Sequence, residues 1–166
     1  MTKAAMFDRD GVLIVDVGFL SRPRDIRWVE GAHRALSRLA ALDYRRFVVT
    51  NQSGVAKGLF PECAILRVHD AMQAALPPAA RIDAFAYCPH HPDGSVPRYT
   101  RVCDCRKPAS GMIERLIADH GIDRAGSFLI GDRTTDIEAA ERAGIRGFLF
   151  GGGDLDRFVI DILERG

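Results

Sequence analysis

Short apolar runs of strand length alternate along the chain with longer segments whose apolar positions recur at helical spacing. We predict strands at residues 4–7, 46–50, 82–87, 127–130 and 147–150 and helices at 31–42, 61–76, 110–120, 135–143 and 154–163. Such alternation is typical of a parallel sheet covered by helices on both faces, with right-handed crossovers. The sequence therefore predicts an α/β fold, a three-layer doubly wound parallel sheet, built as a single domain over residues 1–166.

Composition limits the function. The chain has 166 residues, with 23 Lys and Arg against 22 Asp and Glu and a formal net charge of +1. Because binding to a nucleic-acid backbone needs an excess of positive charge, we expect no nucleic-acid partner. The apolar runs are too short to span a membrane, and the first residues lack a signal-peptide core. We expect a cytoplasmic protein without a membrane partner, large enough to fold as a monomer.

Chemically active side chains follow three of the predicted strands and precede one predicted helix. The segments are Asp-Arg-Asp-Gly at 8–11, Thr-Asn-Gln-Ser-Gly at 50–54, Arg-Lys-Pro at 106–108 and Gly-Asp-Arg-Thr-Thr-Asp at 131–136. Ligands of such sheets bind at the carboxyl ends of the strands. Acidic residues from two loops could hold a divalent cation there, and hydroxyl, amide and cationic groups could surround a phosphoryl group. Each segment alone is commonly a turn or a helix cap, but four in this order predict a phosphoryl-transfer site.

A second cluster has the spacing of a metal site. Cys88 and His90 are followed, after twelve intervening residues, by Cys103 and Cys105. Three thiolates and one imidazole form a closed tetrahedral set that suits structural Zn²⁺, with His91 as an alternative imidazole. A disulfide and unliganded thiols are the competing interpretations. We expect the metal to fold the loop at 89–102 and so to fix the segment at 106–107 that follows it.

The remaining cysteine and three of the histidines are predicted to have no role in catalysis or metal binding. Cys63 lies on a predicted helix and is expected to be a small buried or half-buried side chain. His33, His69 and His120 lie outside the four segments and are expected at the surface or at helix ends.

The four segments match, in order, the four motifs of the haloacid dehalogenase (HAD) superfamily of phosphatases, which the chain resembles over nearly its whole length. Cys-Pro-His-His-Pro at 88–92 and Cys-Asp-Cys-Arg-Lys-Pro at 103–108 narrow the resemblance to the D,D-heptose 1,7-bisphosphate phosphatases, with the histidinol-phosphate phosphatases as a sister family. The resemblance implies a Rossmann-like HAD fold and favours His90 over His91 as the zinc ligand. At 18.3 kDa the chain leaves no room for a large cap domain, so we expect an open site.

The resemblance also implies catalytic roles. Asp8 would be the nucleophile that forms an aspartyl-phosphate, and Asp10 the general acid and then the general base. Mg²⁺ would be held by Asp8, the backbone carbonyl of Asp10 and Asp132. Thr50 would hydrogen-bond the transferring group, and Lys107 would stabilise its charge.

Substrate recognition would fall to residues near these motifs. By resemblance the substrate-binding residues are Asp16, Gly18, Phe19, Asn51, Gln52, Ser53, Arg106 and Arg133. Asp136 would balance or orient the site rather than bind the metal. Arg22, Arg24 and Arg27 could meet a distal phosphate, or be solvated or paired with acids.

We therefore expect a Mg²⁺-dependent phosphatase that removes the 7-phosphate of D-glycero-D-manno-heptose 1,7-bisphosphate, a small phosphorylated sugar used in bacterial lipopolysaccharide synthesis. The segment at 131–136 resembles the histidinol-phosphate group, so histidinol-phosphate phosphatase is one alternative. A non-catalytic zinc-stabilised binding module is another, although clustered carboxylates repel one another unless a cation joins them.

Overall fold

The computed structural model describes residues 2–165, which contain one five-stranded sheet. Its strands are β1 (Ala4–Phe7), β2 (Arg45–Asn51), β3 (Ala84–Cys88), β4 (Phe128–Gly131) and β5 (Arg146–Leu149). All neighbouring pairs are parallel, in the order β3-β2-β1-β4-β5. Strand order reverses at the centre of the sheet, so the ends of β1, β2 and β4 lie side by side where such sheets bind ligands.

Helices cover both faces of the sheet. They are α1 (Ala32–Ala41), α2 (Glu62–Ala75), α3 (Gly111–His120), α4 (Thr134–Arg142) and α5 (Leu155–Arg165). Buried residues of α1, α2 and α5 share one apolar cluster, and those of α3 and α4 share the other. The predicted three-layer α/β architecture is confirmed.

Strand β1 shows that the sheet lies between two layers of helices. All four of its residues are fully buried, with Ala5 and Phe7 in one cluster and Ala4 and Met6 in the other. Alternate side chains of a strand point to opposite faces, so a strand covered on both sides must be apolar throughout. The polar residues begin directly after Phe7, where the strand ends at the edge of the sheet.

The predicted elements are all present, with ends that differ by at most two residues. Two ends differ by two residues: α5 ends at Arg165 rather than Leu163, and β3 begins at Ala84 rather than Ile82. The backbone N–H and C=O of Ile82 bond instead to the side chain of Gln73, at 3.0 and 2.7 Å, which diverts Ile82 from the sheet.

Two expectations for α2 are wrong. Cys63 is exposed rather than buried or half-buried, because it lies on the solvent face of the helix. His69 is only 4% exposed, inside the helix rather than at its end, because its ring stacks on Phe85 with centroids 4.5 Å apart. Within residues 2–165, no helix has the length and apolarity needed to cross a membrane.

Candidate active site

A cavity of about 660 Å³ opens at the carboxyl ends of the strands. Most of the predicted site residues line it: Asp8, Asp10, Asp16, Gly18, Phe19, Asn51, Gln52, Ser53, Arg106, Lys107 and Arg133. Thr50 lies at the end of β2, 1% exposed, and its hydroxyl accepts a hydrogen bond of 2.9 Å from Gln52. The fold therefore brings the four sequence segments together.

Lys107 is a buried cation of the site. Its Nζ lies 3.1 Å from Asp8 Oδ1 and 2.5 Å from Asp136 Oδ1, and it donates to the carbonyl oxygen of Val49 at 2.7 Å. Burial alone would lower the pKa of Lys107, but the two carboxylates outweigh it and raise that pKa. The ammonium group is therefore charged and has all three of its donors occupied.

Asn51 fixes the backbone of Lys107. Its side-chain oxygen accepts from Lys107 N at 3.0 Å, and its side-chain nitrogen donates to Lys107 O at 3.0 Å. One amide hydrogen of Asn51 is then left for a ligand in the cavity. The residue thus joins the end of β2 to the segment that carries the lysine.

Asp8 belongs to a cluster of three carboxylates with Asp132 and Asp136. Burial raises its pKa to about 7; the Lys107 ammonium opposes this shift, and Asp136 adds to it. Its Oδ1 also accepts from the backbone N–H of Arg9 at 2.8 Å, which fixes the direction of the carboxylate. Asp136 bonds to Lys107 through Oδ1 and to the backbone N–H of Arg133 through Oδ2, so both of its oxygens have donors.

The carboxylates of Asp8 and Asp132 suit a divalent cation. Ligand oxygens of Asp8, Asp132 and Asp136 lie within 4.8 Å of one another. Asp132 Oδ1 is buried and has no hydrogen-bond partner among residues 2–165, and burial raises the pKa of this residue. A Cβ atom at Gly11 would collide with the Asp132 carboxylate, so the turn after β1 packs directly against it. These donors fit the hard oxygen ligands that Mg²⁺ prefers.

Asp10 is held by side chains from inside the fold. Arg9 Nε donates to its Oδ2 at 3.0 Å, and Gln52 Nε2 donates to the same oxygen at 2.9 Å. Arg9 itself is only 1% exposed and contacts the ring of His69. Neither Arg9 nor His69 was predicted from the sequence to have a role in the site. The one signal for Arg9 is its position between two aspartates of a motif.

The second cluster forms as predicted. The Sγ atom of Cys105 lies 3.0 Å from that of Cys88 and 3.3 Å from that of Cys103, and His90 Nδ1 lies 3.3 Å from Cys105 Sγ. A disulfide needs sulfurs about 2.05 Å apart, and these cysteines are free thiols. His91 instead accepts from the backbone N–H of Asp93 at 3.0 Å. Four soft ligand atoms within 4.8 Å could hold Zn²⁺.

The Cys/His cluster and the loop at 89–102 between its ligands contact the cavity wall in two places. The backbone N–H of Arg106 points at Cys103 Sγ, 3.4 Å away, and Arg106 lines the cavity. The backbone N–H groups of Ser95 and Val96 both donate to Ala56 O, at 2.8 and 3.0 Å. Ala56 precedes Lys57, so the loop braces a second cationic part of the wall.

Exposed residues border the outer end of the cavity. Lys57 Nζ lies 5.0 Å from the ring centroid of Phe19, and Arg133 Nη2 lies 3.5 Å from Asp16 Oδ2. Lys57 was not predicted from the sequence, although it follows a predicted substrate-binding segment by only a few residues.

The loop arginines lie elsewhere. Arg22, Arg24 and Arg27 line a neighbouring cavity of about 380 Å³, and Arg22 pairs with Asp25 at 2.7 Å. The interpretation as solvated or paired arginines therefore fits better than contact with a substrate in the main cavity.

Comparison with known proteins gives the same picture. A family described as HAD-hydrolase-like matches residues 104–158. A D-glycero-beta-D-manno-heptose-1,7-bisphosphate 7-phosphatase of Rhodopseudomonas palustris is 42% identical over 161 residues, covering 96% of this chain and 89% of that protein. One of the same name from Haemophilus ducreyi is 40% identical, covering 87% of this chain and 80% of its own.

A solved structure is also similar over the full length. The D,D-heptose 1,7-bisphosphate phosphatase of B. bronchiseptica, complexed with magnesium and phosphate, superposes with a TM-score of 0.83 at 30% identity. The match covers 99% of this chain and 100% of that one.

Proposed function

The chain belongs to the D-glycero-D-manno-heptose-1,7-bisphosphate 7-phosphatase family of HAD-like hydrolases, and on that premise we propose that it removes the 7-phosphate of this bisphosphate through an aspartyl-phosphate. It is a phosphoric monoester hydrolase. The observation that carries the residue assignment is that three separate segments converge: Asp8, Asp10 and Lys107 line one cavity, and a ligand oxygen of Asp132 lies within 4.8 Å of one of Asp8. A non-catalytic zinc module would need none of these groups.

Asp8 is the nucleophile in this proposal. Its carboxylate oxygen attacks phosphorus, the bond from phosphorus to the sugar oxygen breaks, and Asp10 gives a proton to that oxygen. Asp10 then takes a proton from a water molecule that attacks the aspartyl-phosphate, which releases inorganic phosphate and restores Asp8. The Lys107 ammonium, 3.1 Å from Asp8, stabilises the negative charge of the transferring group, with Thr50 and Asn51 as hydrogen-bond partners.

A cation is needed because a carboxylate and a phosphate dianion repel each other. Asp8, Asp132 and the backbone carbonyl of Asp10 would hold Mg²⁺. Asp132 Oδ1 is available for this role, because it is buried and no residue of 2–165 donates a hydrogen bond to it. When bound, Mg²⁺ neutralises part of the charge between nucleophile and phosphate.

The outer part of the cavity would receive the rest of the substrate. Arg106, Arg133 and Lys57 line it and supply positive charge for a second phosphate. Asp16 and the backbone around Gly18 face the same space and would contact sugar hydroxyls. These groups favour a bisphosphate over a monophosphate that ends in an amine.

We also propose that the chain works as one monomeric domain in the cytoplasm. The residues assigned above come from a single chain, and most of them line one cavity.

The test is phosphate release in the presence of Mg²⁺ from heptose 1,7-bisphosphate and from histidinol phosphate, with Asp8→Asn as the blank. We expect kcat/KM at least about 100-fold higher for the bisphosphate, a difference of about 2.7 kcal/mol in transition-state binding. A preference for histidinol phosphate would move the chain to the sister activity. Turnover by a folded Asp8→Asn variant would overturn the nucleophile assignment.

A further inference from the structure

Arg9 is a charged side chain buried directly behind the proposed general acid. It is 1% exposed, although it lies between two residues that line the cavity. Its Nε donates to Asp10 Oδ2 at 3.0 Å and its Nη2 donates to Asp10 Oδ1 at 3.2 Å. Two nitrogens of the guanidinium therefore bond to the two oxygens of the carboxyl group. This bidentate pairing fixes the orientation of both side chains.

Two further residues fix the orientation of this guanidinium. Its Nη2 also donates to Gln52 Oε1 at 3.1 Å, and its Nη1 lies 3.4 Å from His69 Nε2. Gln52 returns to the carboxyl group, donating to Asp10 Oδ2 at 2.9 Å. Asp10, Arg9 and Gln52 thus form a closed set of hydrogen bonds, and His69 supports it from the interior.

His69 is held rigidly by α2 and the sheet. Its ring stacks on Phe85 of β3 at an interplanar angle of 20°, with centroids 4.5 Å apart. Burial and the nearby Arg9 charge lower its pKa to about 3, so the ring is neutral near pH 7. Because Arg9 can only donate, the neutral ring must present Nε2 as an acceptor and carry its hydrogen on Nδ1.

The contacts of Asp10 are unequal. Oδ2 accepts from both Arg9 Nε and Gln52 Nε2, whereas the one donor to Oδ1 among residues 2–165 is Arg9 Nη2 at 3.2 Å. A carboxyl oxygen whose lone pairs are engaged by two donors is poorly placed to carry a proton. The less engaged oxygen, Oδ1, is the one left to exchange a proton with a ligand.

We propose that His69 and Arg9 are positioning residues for the phosphatase reaction, and that they hold Asp10 so that its Oδ1 gives the proton to the leaving sugar oxygen. The proposal rests on the proposed function, in which Asp10 is the general acid. Neither residue needs to touch the substrate. A purely structural alternative is that His69 only satisfies a buried arginine.

Leaving-group dependence separates these two roles. A sugar oxygen leaves as a strongly basic alkoxide unless it is protonated, whereas nitrophenolate is stable without a proton. Loss of proton donation should therefore reduce kcat/KM much more for heptose 1,7-bisphosphate than for p-nitrophenyl phosphate. General destabilisation of the fold would reduce both values by the same factor. Using kcat/KM confines the comparison to the first phosphoryl transfer, because hydrolysis of the common aspartyl-phosphate follows it.

The test compares His69→Leu with the wild type on both substrates. Leu fills similar space but has no acceptor for Arg9. We expect the loss on the bisphosphate to exceed the loss on p-nitrophenyl phosphate at least about five-fold, a fraction of the hundred- to ten-thousand-fold contribution of general acid catalysis. His69→Gln keeps an acceptor and should recover most of the difference. Val68→Ala, which destabilises the same helix from a fully buried apolar position, should give equal losses.

Further variants keep the outcome clear. Arg9→Lys keeps the charge but cannot form the bidentate pair with the two oxygens of Asp10, so we expect the same selective loss. If His69→Leu does not fold, Arg9→Lys tests the positioning role in its place. Asp10→Asn reports on the proposed function: equal losses on both substrates would remove Asp10 as the general acid. If Asp10→Asn is selective while His69→Leu, or Arg9→Lys in its place, gives equal losses, the positioning role is wrong and the proposed function stands.

Discussion

Replacing Lys107 by Met removes the one buried ammonium that separates two buried carboxylates. Its Nζ lies 3.1 Å from Asp8 and 2.5 Å from Asp136, and the Lys107 side chain is only 2% exposed. Met has nearly the same length and fills the space, so the change removes charge and hydrogen bonds rather than volume. Asp8 and Asp136 are then left near each other without a partner, which makes this a sharp test of the ion-pair geometry.

The expected loss of folding stability is estimated from the cost of breaking a buried ion pair. Breaking one buried ion pair by removing a single partner costs about 3–5 kcal/mol. Protonation of Asp8, whose pKa burial raises to about 7 even with the lysine present, limits the loss. We therefore expect a decrease of about 3 kcal/mol in the free energy of unfolding, which for this chain length corresponds to a fall in Tm of about 6–12 °C.

The sign of the pH dependence can also be worked out. Without Lys107 the pKa of Asp8 should rise further, because the ammonium lowers it in the wild type. A carboxyl with a raised pKa destabilises the fold more as the pH increases and it must ionise. The difference in stability between wild type and Lys107→Met should therefore be smallest near pH 5 and grow as the pH passes 7.

The assay is urea unfolding, followed by circular dichroism in Mg²⁺-free buffer without a chelator, so that the zinc cluster is not stripped. Lys57→Met, an identical change at an exposed lysine, is the matched control and should alter stability by less than about 0.5 kcal/mol. Adding Asp136→Asn to Lys107→Met should recover at least about 1 kcal/mol, since it removes one of the unpaired charges. A loss below about 1 kcal/mol, or one that does not change with pH, would refute the reasoning.

Two other predictions test the metal sites. Cys103→Ser should abolish binding of one equivalent of Zn²⁺ and reduce phosphate release, measured by zinc content and activity of the same sample, while Cys63→Ser on the exposed face of α2 keeps both. Gly11→Ala should raise the Mg²⁺ concentration for half-maximal activity at least about ten-fold, because its Cβ would displace a metal-site carboxylate. Gly121→Ala is the control with a similar left-handed backbone at φ 60°, and an unchanged Mg²⁺ requirement in Gly11→Ala would argue against the assigned site.

The fold could be predicted because each buried strand is an apolar run and each helix has one apolar face. The ends of β1, β2 and β4 carry the polar motifs, and parallel order alone brings those ends together. Which face of a helix a given residue occupies was less certain. Cys63 and His69 are six residues apart on α2, and one is exposed whereas the other is buried.

Arg9 shows what local sequence could not supply. A charged residue is buried only when partners satisfy it, and its partners come from the same turn, from the end of β2 and from the middle of α2. Asp10 is next to Arg9 in sequence, but Gln52 and His69 lie 43 and 60 residues away from it. The burial of Arg9 is thus a property of the assembled layers, and a pattern of residue types along the chain does not contain it.

The Cys/His cluster and the buried Lys107 are coupled by their position in the chain. Cys105, Arg106 and Lys107 are consecutive, so the position of Cys105 in the cluster restricts the position of the Lys107 backbone. From the other side Asn51 bonds to both the N–H and the C=O of Lys107, each at 3.0 Å. A flexible loop would lose much entropy if it buried an ammonium group between two carboxylates. Because the backbone is already fixed by a metal-binding loop and by the end of β2, that loss occurs on folding rather than in each catalytic cycle. This accounts for how a chain of 166 residues can keep a charged site preorganised.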